Sequence, residues 1–400
     1  MDFSLSEEQK ELQKWAHDFA ENEIRPVAGS YDETEEFPWP VVSKAAEIGL
    51  YGFDLYANTM LSDTTGLGLP LIMEEICWGC AGIGLAIFGT GLPLSALSAA
   101  GTPDQLMTWA PRMFGTPQDP KVAAFCVTEP NAGSDVSSLR TKAEKVDGGW
   151  VLNGTKIFAT NGGIADVHIV VATVDPELGI RGQASFLISR ENDKGIKQGK
   201  KEKKLGIRAS HTAEVILEDC FVPDEQLIGG QEKLDGKLER ARGGGHGTES
   251  VALRTFEITR PLVACQAVGI ARAALEFAIG YAKERQTFKT PIIQYQGIAF
   301  QLADMALAVD ASRLLVHRAA WMAANAQPFA KAEGSMCKLM AGETAVRVTE
   351  QAIQILGGYG YIKDFPVEKW YRDAKIYTLF EGTSEIQRLV ISRALAAGSA

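Results

Sequence analysis

The chain has 400 residues, 46% of them hydrophobic and 22% charged, with a formal net charge of −10. That length exceeds one ordinary core and predicts two or three domains, while the negative balance excludes general affinity for nucleic acid or anionic membranes. The acidic start Met1-Asp2-Phe3-Ser4-Leu5-Ser6-Glu7-Glu8 has no basic segment followed by an apolar core, so no secretory signal is expected and the location is expected to be cytoplasmic.

From Ser6 to about residue 114 the pattern is helical. Ser6 and Gln9 have capping-box spacing, and Leu12, Trp15, Ala16 and Phe19 recur on one helix face. Residues 79–103 carry no charge and are long enough for a membrane span. Gly89-Thr90-Gly91 and Pro93 interrupt them and no basic clusters flank them, so a buried helix pair is expected. Gly115, Pro117 and Pro120 mark a boundary. Between about 121 and 228 the runs become short and β-branched. Asn153-Gly154 separates Trp150-Val151-Leu152 from Lys156-Ile157-Phe158 and predicts a hairpin. Further strands are expected at 167–171, 184–188 and 214–217. Residues 229–247, with Gly229-Gly230 and Gly243-Gly244-Gly245, read as a flexible loop. From about 249 to 397 long helical patterns return, with Leu262, Cys265, Gln266, Gly269, Ala273 and Phe277 on one closely packing face. The fold class is therefore α+β. It comprises an N-terminal all-α domain (1–118), a central antiparallel β-domain (119–230), an extended Gly-rich loop (231–248) and a C-terminal helical bundle (249–400).

Six cysteines are scattered, and only Cys77 and Cys80 form a Cys-x-x-Cys; buried free thiols are expected and no metal. No Walker loop, no Rossmann glycine fingerprint and no nucleophile elbow appears. Any nucleotide cofactor must use another platform.

Five segments could carry chemistry. Cys126-Val127-Thr128-Glu129-Pro130-Asn131-Ala132-Gly133-Ser134-Asp135 offers hydroxyls and exposable amides after a strand. Phe158-Ala159-Thr160 ends a strand beside a turn and could present a flat face to a planar ring. Arg285-Gln286-Thr287-Phe288 ends an apolar helix, with a guanidinium suited to phosphate and an aromatic suited to a base. Gln354-Ile355-Leu356-Gly357-Gly358-Tyr359-Gly360-Tyr361, followed by Asp364, Lys369 and Asp373, permits close backbone approach. Finally, Leu379-Phe380-Glu381-Gly382-Thr383-Ser384 puts one carboxylate behind an apolar run at a helix start, with Thr383 or Ser384 as N-cap and Ser384 and Gln387 at capping-box spacing. The apolar flank predicts a raised pKa and a better base.

These five segments, in this order, resemble the acyl-CoA dehydrogenase flavoprotein family over nearly the whole chain. The resemblance implies FAD as cofactor. Phe125, Val127, Thr128, Phe158, Ala159 and Thr160 would line the flavin, Phe158 standing where many relatives have tryptophan. Arg285 and Phe288 would hold pyrophosphate and adenine, Thr383 would meet the cofactor at a helix start, and Gln354 and Gly358 would reach it from a neighbouring subunit of a homo-oligomer, usually a tetramer. Ser134 would hydrogen-bond acyl-CoA, Glu257 and Arg260 would contact its CoA portion, and Phe380 and Gly382 would sit beside it. Phe88, Gly89, Gly91 and Leu92 would wall the acyl pocket. Glu381 would be the base; some relatives place it at the position of Thr259, which here is not acidic. The implied reaction is α,β-dehydrogenation of an acyl-CoA to a trans-2-enoyl-CoA, with electrons passed to an electron-transferring flavoprotein. An acyl-CoA oxidase using O₂ and a non-catalytic flavin-bearing binding protein are the competing readings.

The chain departs from the pattern at Lys289, where glycine is usual, and in a longer 229–250 stretch, which could cover the CoA entrance or be a surface loop. The run Lys200-Lys201-Glu202-Lys203-Lys204 reads as a solvated turn rather than a phosphate site. No arginine in 75–105 could neutralise a second carboxylate, so a dicarboxyl thioester is disfavoured.

Overall fold

The computed structural model describes residues 4–190, 194–244 and 251–398. Ser6 opens α1 (Glu7–Phe19) with the expected capping box. Its Oγ accepts from the Gln9 N–H at 3.2 Å, and the Gln9 side chain accepts from the Ser6 N–H at 3.0 Å. Helices α2 (Ala28–Thr34), α3 (Trp39–Glu47), α4 (Phe53–Ser62), α5 (Gly68–Gly79), α6 (Ala81–Phe88), α7 (Gly91–Ala100) and α8 (Pro103–Phe114) complete the N-terminal unit. The uncharged stretch is the buried pair α6 and α7, as expected. Ala81–Ala100 and Val251–Glu284 are both long and apolar enough to cross a membrane, but 78% and 72% of their most apolar windows lie buried inside the fold.

A small ribbon, β1 (Gly115–Thr116) with β2 (Asp119–Pro120), marks the boundary. The sheet beyond it has seven strands: β3 (Ala123–Cys126), β4 (Lys142–Val146), β5 (Gly149–Thr160), β6 (Val167–Thr173), β7 (Gln183–Ser189), β8 (Ile196–Lys201) and β9 (Thr212–Pro223). Their order is β3-β6-β4-β5-β9-β8, with β7 also on β6. Most neighbours are antiparallel, while β3, and β4 through Lys142 and Thr173, run parallel to β6. Asn153-Gly154 is not the expected hairpin turn. It is a bulge inside β5, which pairs Leu152 with Cys220 and Gly154 with Leu217, and the turn falls upstream at Asp147-Gly148. The Asn153 amide bonds Asp219 across the bulge in both directions, at 2.8 and 3.2 Å. Glycine serves close approach here, since a Cβ on Gly154 would stand 2.5 Å from Thr141 Oγ1.

The expected Gly-rich loop contains a helix, α9 (Gln231–Arg242). Leu234, Leu238 and Ala241 give it one apolar stripe, with Leu234 and Ala241 buried. Lys233 Nζ donates to the Ala100 carbonyl at 2.8 Å, Lys237 Nζ to the Gln183 carbonyl at 2.6 Å, and Arg242 pairs with Asp175 at 2.7 Å. Flanking glycines hid a helix whose interior is charged. The end of that expected loop, 245–248, lies outside the described residues.

The C-terminal unit begins with α10 (Val251–Glu284). A ribbon follows, β10 (Gln286–Thr287) with β11 (Thr290–Pro291), then α11 (Gln296–Ala324), α12 (Glu333–Leu356), α13 (Val367–Ala374) and α14 (Ser384–Ala396). α10 packs on α11 and α12 and reaches back to α5, and α14 packs on α12. Between α5, α10 and α11, buried Glu74 and Glu75 are met by Arg272 and Arg313, with Arg272 Nη1 at 2.9 Å from Glu74 and Arg313 Nη2 also at 2.9 Å. Paired in this way, the carboxylates do not carry the penalty of buried lone charges. All six cysteines are free and buried, as expected.

The ribbon turn is Phe288-Lys289, and both residues have positive φ, 52° and 66°. A side chain in this left-handed region costs about 1 kcal/mol. Lys289→Gly is therefore expected to stabilise the fold by about 1 kcal/mol, read as a higher urea midpoint with an unchanged slope.

Candidate active site

Beyond α13 a 3₁₀ turn (Lys375–Thr378) leads into Leu379 and Phe380, whose N–H groups both donate to the Ile376 carbonyl, at 2.8 and 3.1 Å. The chain then reverses through two residues of positive φ, Glu381 at 50° and Gly382 at 91°. Thr383 is the N-cap of α14, its Oγ1 accepting from the Ile386 N–H at 3.3 Å. The alternative Ser384–Gln387 capping box does not form. Gln387 turns back instead, donating to the Glu381 carbonyl at 3.1 Å and the Gly382 carbonyl at 2.9 Å.

Glu381 lines a cleft of about 640 Å³ at the meeting of the three units. α6 and the start of α7 supply Phe88, Gly89, Gly91 and Leu92. The sheet supplies Phe125, Val127, Thr128, Ser134, Phe158 and Thr160, and the C-terminal unit Phe256, Thr259, Phe380, Gly382 and Thr383. Burial pushes the Glu381 carboxyl up to about 7, against the pull of a hydrogen bond from Thr259 and the charges of Lys338 and Arg260. The Thr259 bond, Oγ1 to Oε2, is 2.7 Å.

Strand β5 reaches the cleft through a second bulge between Lys156 and Ala159. Phe158 takes φ 55° there and stays 61% exposed, an unusual state for a phenylalanine. The bulge sets Ile157, Phe158 and Thr160 on the cleft and buries Ala159, which does not line it. Beneath the strand, buried Lys156 donates to the Val127 carbonyl at 3.0 Å and to Glu129 Oε1 at 2.7 Å. Glu129 also accepts the N–H groups of Arg140 at 2.6 Å and Thr141 at 2.9 Å, so the Val127–Glu129 segment is held from below.

Other expected residues lie elsewhere. Glu257 and Arg260 do not line the cleft. On α10 the cleft face is Phe256, Thr259, Leu262, Val263 and Gln266, and Glu257 and Arg260 fall off that face. Arg260 is buried, with Nη1 3.1 Å from Ser335 Oγ. Arg285, Phe288 and Gly358 meet in a second pocket of about 710 Å³, in which Phe288 is 89% exposed. Gln354 is exposed at the end of α12. Among the described residues, no part of α9 lines the cleft.

Sequence reasoning missed three contributors. Glu202, Lys203 and Lys204 line the cleft, so the basic run is no simple solvated turn; Lys204 donates to the Ser210 carbonyl, and burial lowers its pKa to about 8. Thr259 was weighed as a vacant base position and not as a partner of Glu381. Lys338 gave no signal, being one lysine in an ordinary helical pattern.

A helix–sheet–helix chain with one perturbed carboxylate in an apolar cleft beside an exposed aromatic strand has the form of an enzyme with an acid–base group facing a bound organic ligand. Three family models match it: "Acyl-CoA dehydrogenase, N-terminal domain" over residues 6–116, "middle domain" over 124–220 and "C-terminal domain" over 245–396. The short-chain specific acyl-CoA dehydrogenase, mitochondrial, of Rattus norvegicus is 40% identical over 97% of this chain and 90% of its own. Among solved structures, butyryl-CoA dehydrogenase from Megasphaera elsdenii superposes with a TM-score of 0.88 at 35% identity, covering 99% of this chain and 100% of that one. A structure described as the FAD complex of PigA gives a TM-score of 0.85 at 28% identity over 99% of both chains. The chain belongs to the acyl-CoA dehydrogenase family.

Proposed function

We propose that this protein dehydrogenates a short saturated acyl-CoA across its α and β carbons, with Glu381 as the base and FAD as the resident cofactor. The observation that carries this is Glu381 itself: a carboxyl in the cleft, bonded to Thr259 and raised to about 7, which suits a group that must take a weakly acidic proton. The short acyl group accords with the short-chain and butyryl-CoA relatives and with the apolar wall of Phe88 and Leu92.

The residues present fit FAD. Phe158 and Phe288 hold exposed rings on positive-φ backbone, which is costly without an occupant. Thr383 starts a helix at the cleft, where N–H groups favour anionic or carbonyl oxygen. FAD, when bound, supplies the acceptor for the β-hydride. Thr128 and Thr160 would offer hydroxyls to the flavin, and Phe158 would offer it an aromatic surface. Ser134 hydrogen-bonds the acyl-CoA, Phe380 and the α6–α7 wall exclude water, and the Glu381 N–H donates to the thioester oxygen as charge develops. The Glu381 carboxylate takes the α-proton, and the product is a trans-2-enoyl-CoA. Electrons leave to an electron-transferring flavoprotein.

Assembly belongs to the same reading. Phe300, Leu307, Leu314 and Trp321 recur every seven residues along α11 and are all exposed, which supports a homo-oligomer, a tetramer in this reading. Arg285, Phe288 and Gly358 share the second pocket rather than the cleft, and with Gln354 they serve the cofactor of a neighbouring copy.

Turnover of butyryl-CoA and longer straight chains tests the proposal, the shortest chains giving the highest kcat/KM. The carboxylate form of Glu381 is the active one, so kcat/KM should fall as pH drops through about 7. A flat profile from about pH 5.5 to about 8 would contradict the assignment.

A further inference from the structure

We infer that Lys338 is a positioning residue for the catalytic base: its ammonium clamps the Glu381–Gly382 turn and keeps a positive charge near the carboxylate, beyond ion-pair distance. The inference rests on reading Glu381 as the base. Lys338 lies on α12 with 1% of its surface exposed, and its Nζ donates to the Gly382 carbonyl at 2.6 Å. Gly342, one helical turn further along α12, packs so closely on the same segment that a Cβ there would stand 2.5 Å from the Tyr377 carbonyl. The helix is thus pressed along the approach to Glu381 over a full turn. That matters because Glu381 is left-handed at φ 50°, a state that persists only where its surroundings fix it.

Geometry alone does not call for a charge. The Gly382 carbonyl already accepts from Gln387 Nε2 at 2.9 Å, so a neutral side chain at 338 would leave it satisfied. A buried ammonium is expensive unless a counter-charge compensates it. Glu381 provides that charge, and Glu385 on α14 adds to it. Arg260, on α10, acts on both groups in the same sense as a second cation, and Glu257 partly offsets it. Glu202, Lys203, Lys204, Arg372 and Lys375 also line the cleft. Burial, opposed by Glu381, brings Lys338 down to about 8, so it is still charged where Glu381 titrates near 7. It opposes protonation of the base as pH falls.

The test is the pH profile of kcat/KM for holoenzyme carrying Lys338→Met, Lys338→Gln or Lys338→Arg, with Glu381→Gln measured alongside. Loss of the charge should move the acid limb up by about one pH unit in the Met and Gln variants, about a tenfold loss at about pH 6 with little change at about pH 8.5. Arg should keep the limb in place. Gln retains a donor for the carbonyl, so a shift in Gln as well as Met assigns the effect to charge. An acid limb that stays put in both neutral variants, whatever happens to the overall rate, would overturn the inference while leaving the base reading intact. Near-normal turnover by Glu381→Gln would overturn the base reading itself.

Discussion

Glu381→Gln is expected to lower kcat with butyryl-CoA by about 10³-fold while the protein remains folded and able to bind its ligands. The two side chains have the same shape, and the amide oxygen can still accept from Thr259 Oγ1, which stands 2.7 Å from the carboxylate. What disappears is the proton acceptor, and general-base contributions of this kind run from about 10² to 10⁴. Stability should hold or rise slightly, because burial disfavours the charged form of Glu381 and the amide carries no charge. Turnover with an artificial electron acceptor measures the first effect, and a thermal melt checks that the fold is unchanged.

Lys156→Met is expected to destabilise the β-domain by about 3–5 kcal/mol and to release the flavin. Lys156 has no exposed surface, and Glu129, its partner at 2.7 Å, is nearly as buried. Burial alone would raise the Glu129 pKa; Lys156 and the surrounding N–H donors outweigh it and hold the carboxyl below its usual range. That stabilisation is present above the ordinary carboxylate pKa and is lost as pH falls through the depressed value. Without Lys156 the carboxylate keeps the N–H donors of Arg140 and Thr141 but loses its counter-charge, and the Val127 carbonyl loses a donor. Since Val127 and Thr128 line the cleft, the damage reaches the cofactor. Urea unfolding and flavin content measure the loss. Adding Glu129→Leu should recover part of the stability, because it removes the lone charge while leaving the Arg140 and Thr141 N–H groups without their acceptor.

Much of this site was legible in the residues because chemistry that depends on backbone shape leaves marks in sequence. The Phe380-Glu381-Gly382-Thr383 segment announced a carboxylate, a glycine turn and a cap, and all three are there, with Thr383 as the cap. The order of helical, strand-rich and helical texture likewise gave the three units. Errors arose where one local signal has two structural uses. Asn153-Gly154 suits a hairpin turn and also a bulge, and only the cross-strand partners Cys220 and Leu217 decide between them. Gly229-Gly230 and Gly243-Gly244 suggested a loop, although Leu234, Leu238 and Ala241 between them had helical spacing. Glu257 and Arg260 were placed at the CoA portion by resemblance alone, and the 3.6-residue period of α10 gives the cleft wall itself to Phe256, Thr259, Leu262, Val263 and Gln266. Lys156 and Lys338 were silent because a buried lysine reads like any other until its carboxylate partner, distant in sequence, is known.

The central claim is that Glu381 takes the α-proton of a short acyl-CoA so that the flavin can be reduced. Anaerobic mixing of purified holoenzyme with butyryl-CoA, followed by flavin absorbance in a single turnover, tests it most directly. The account predicts rapid bleaching in the wild type, faster above about pH 7 than below, and bleaching slowed about 10³-fold in Glu381→Gln. Equal bleaching rates in the two proteins would contradict it.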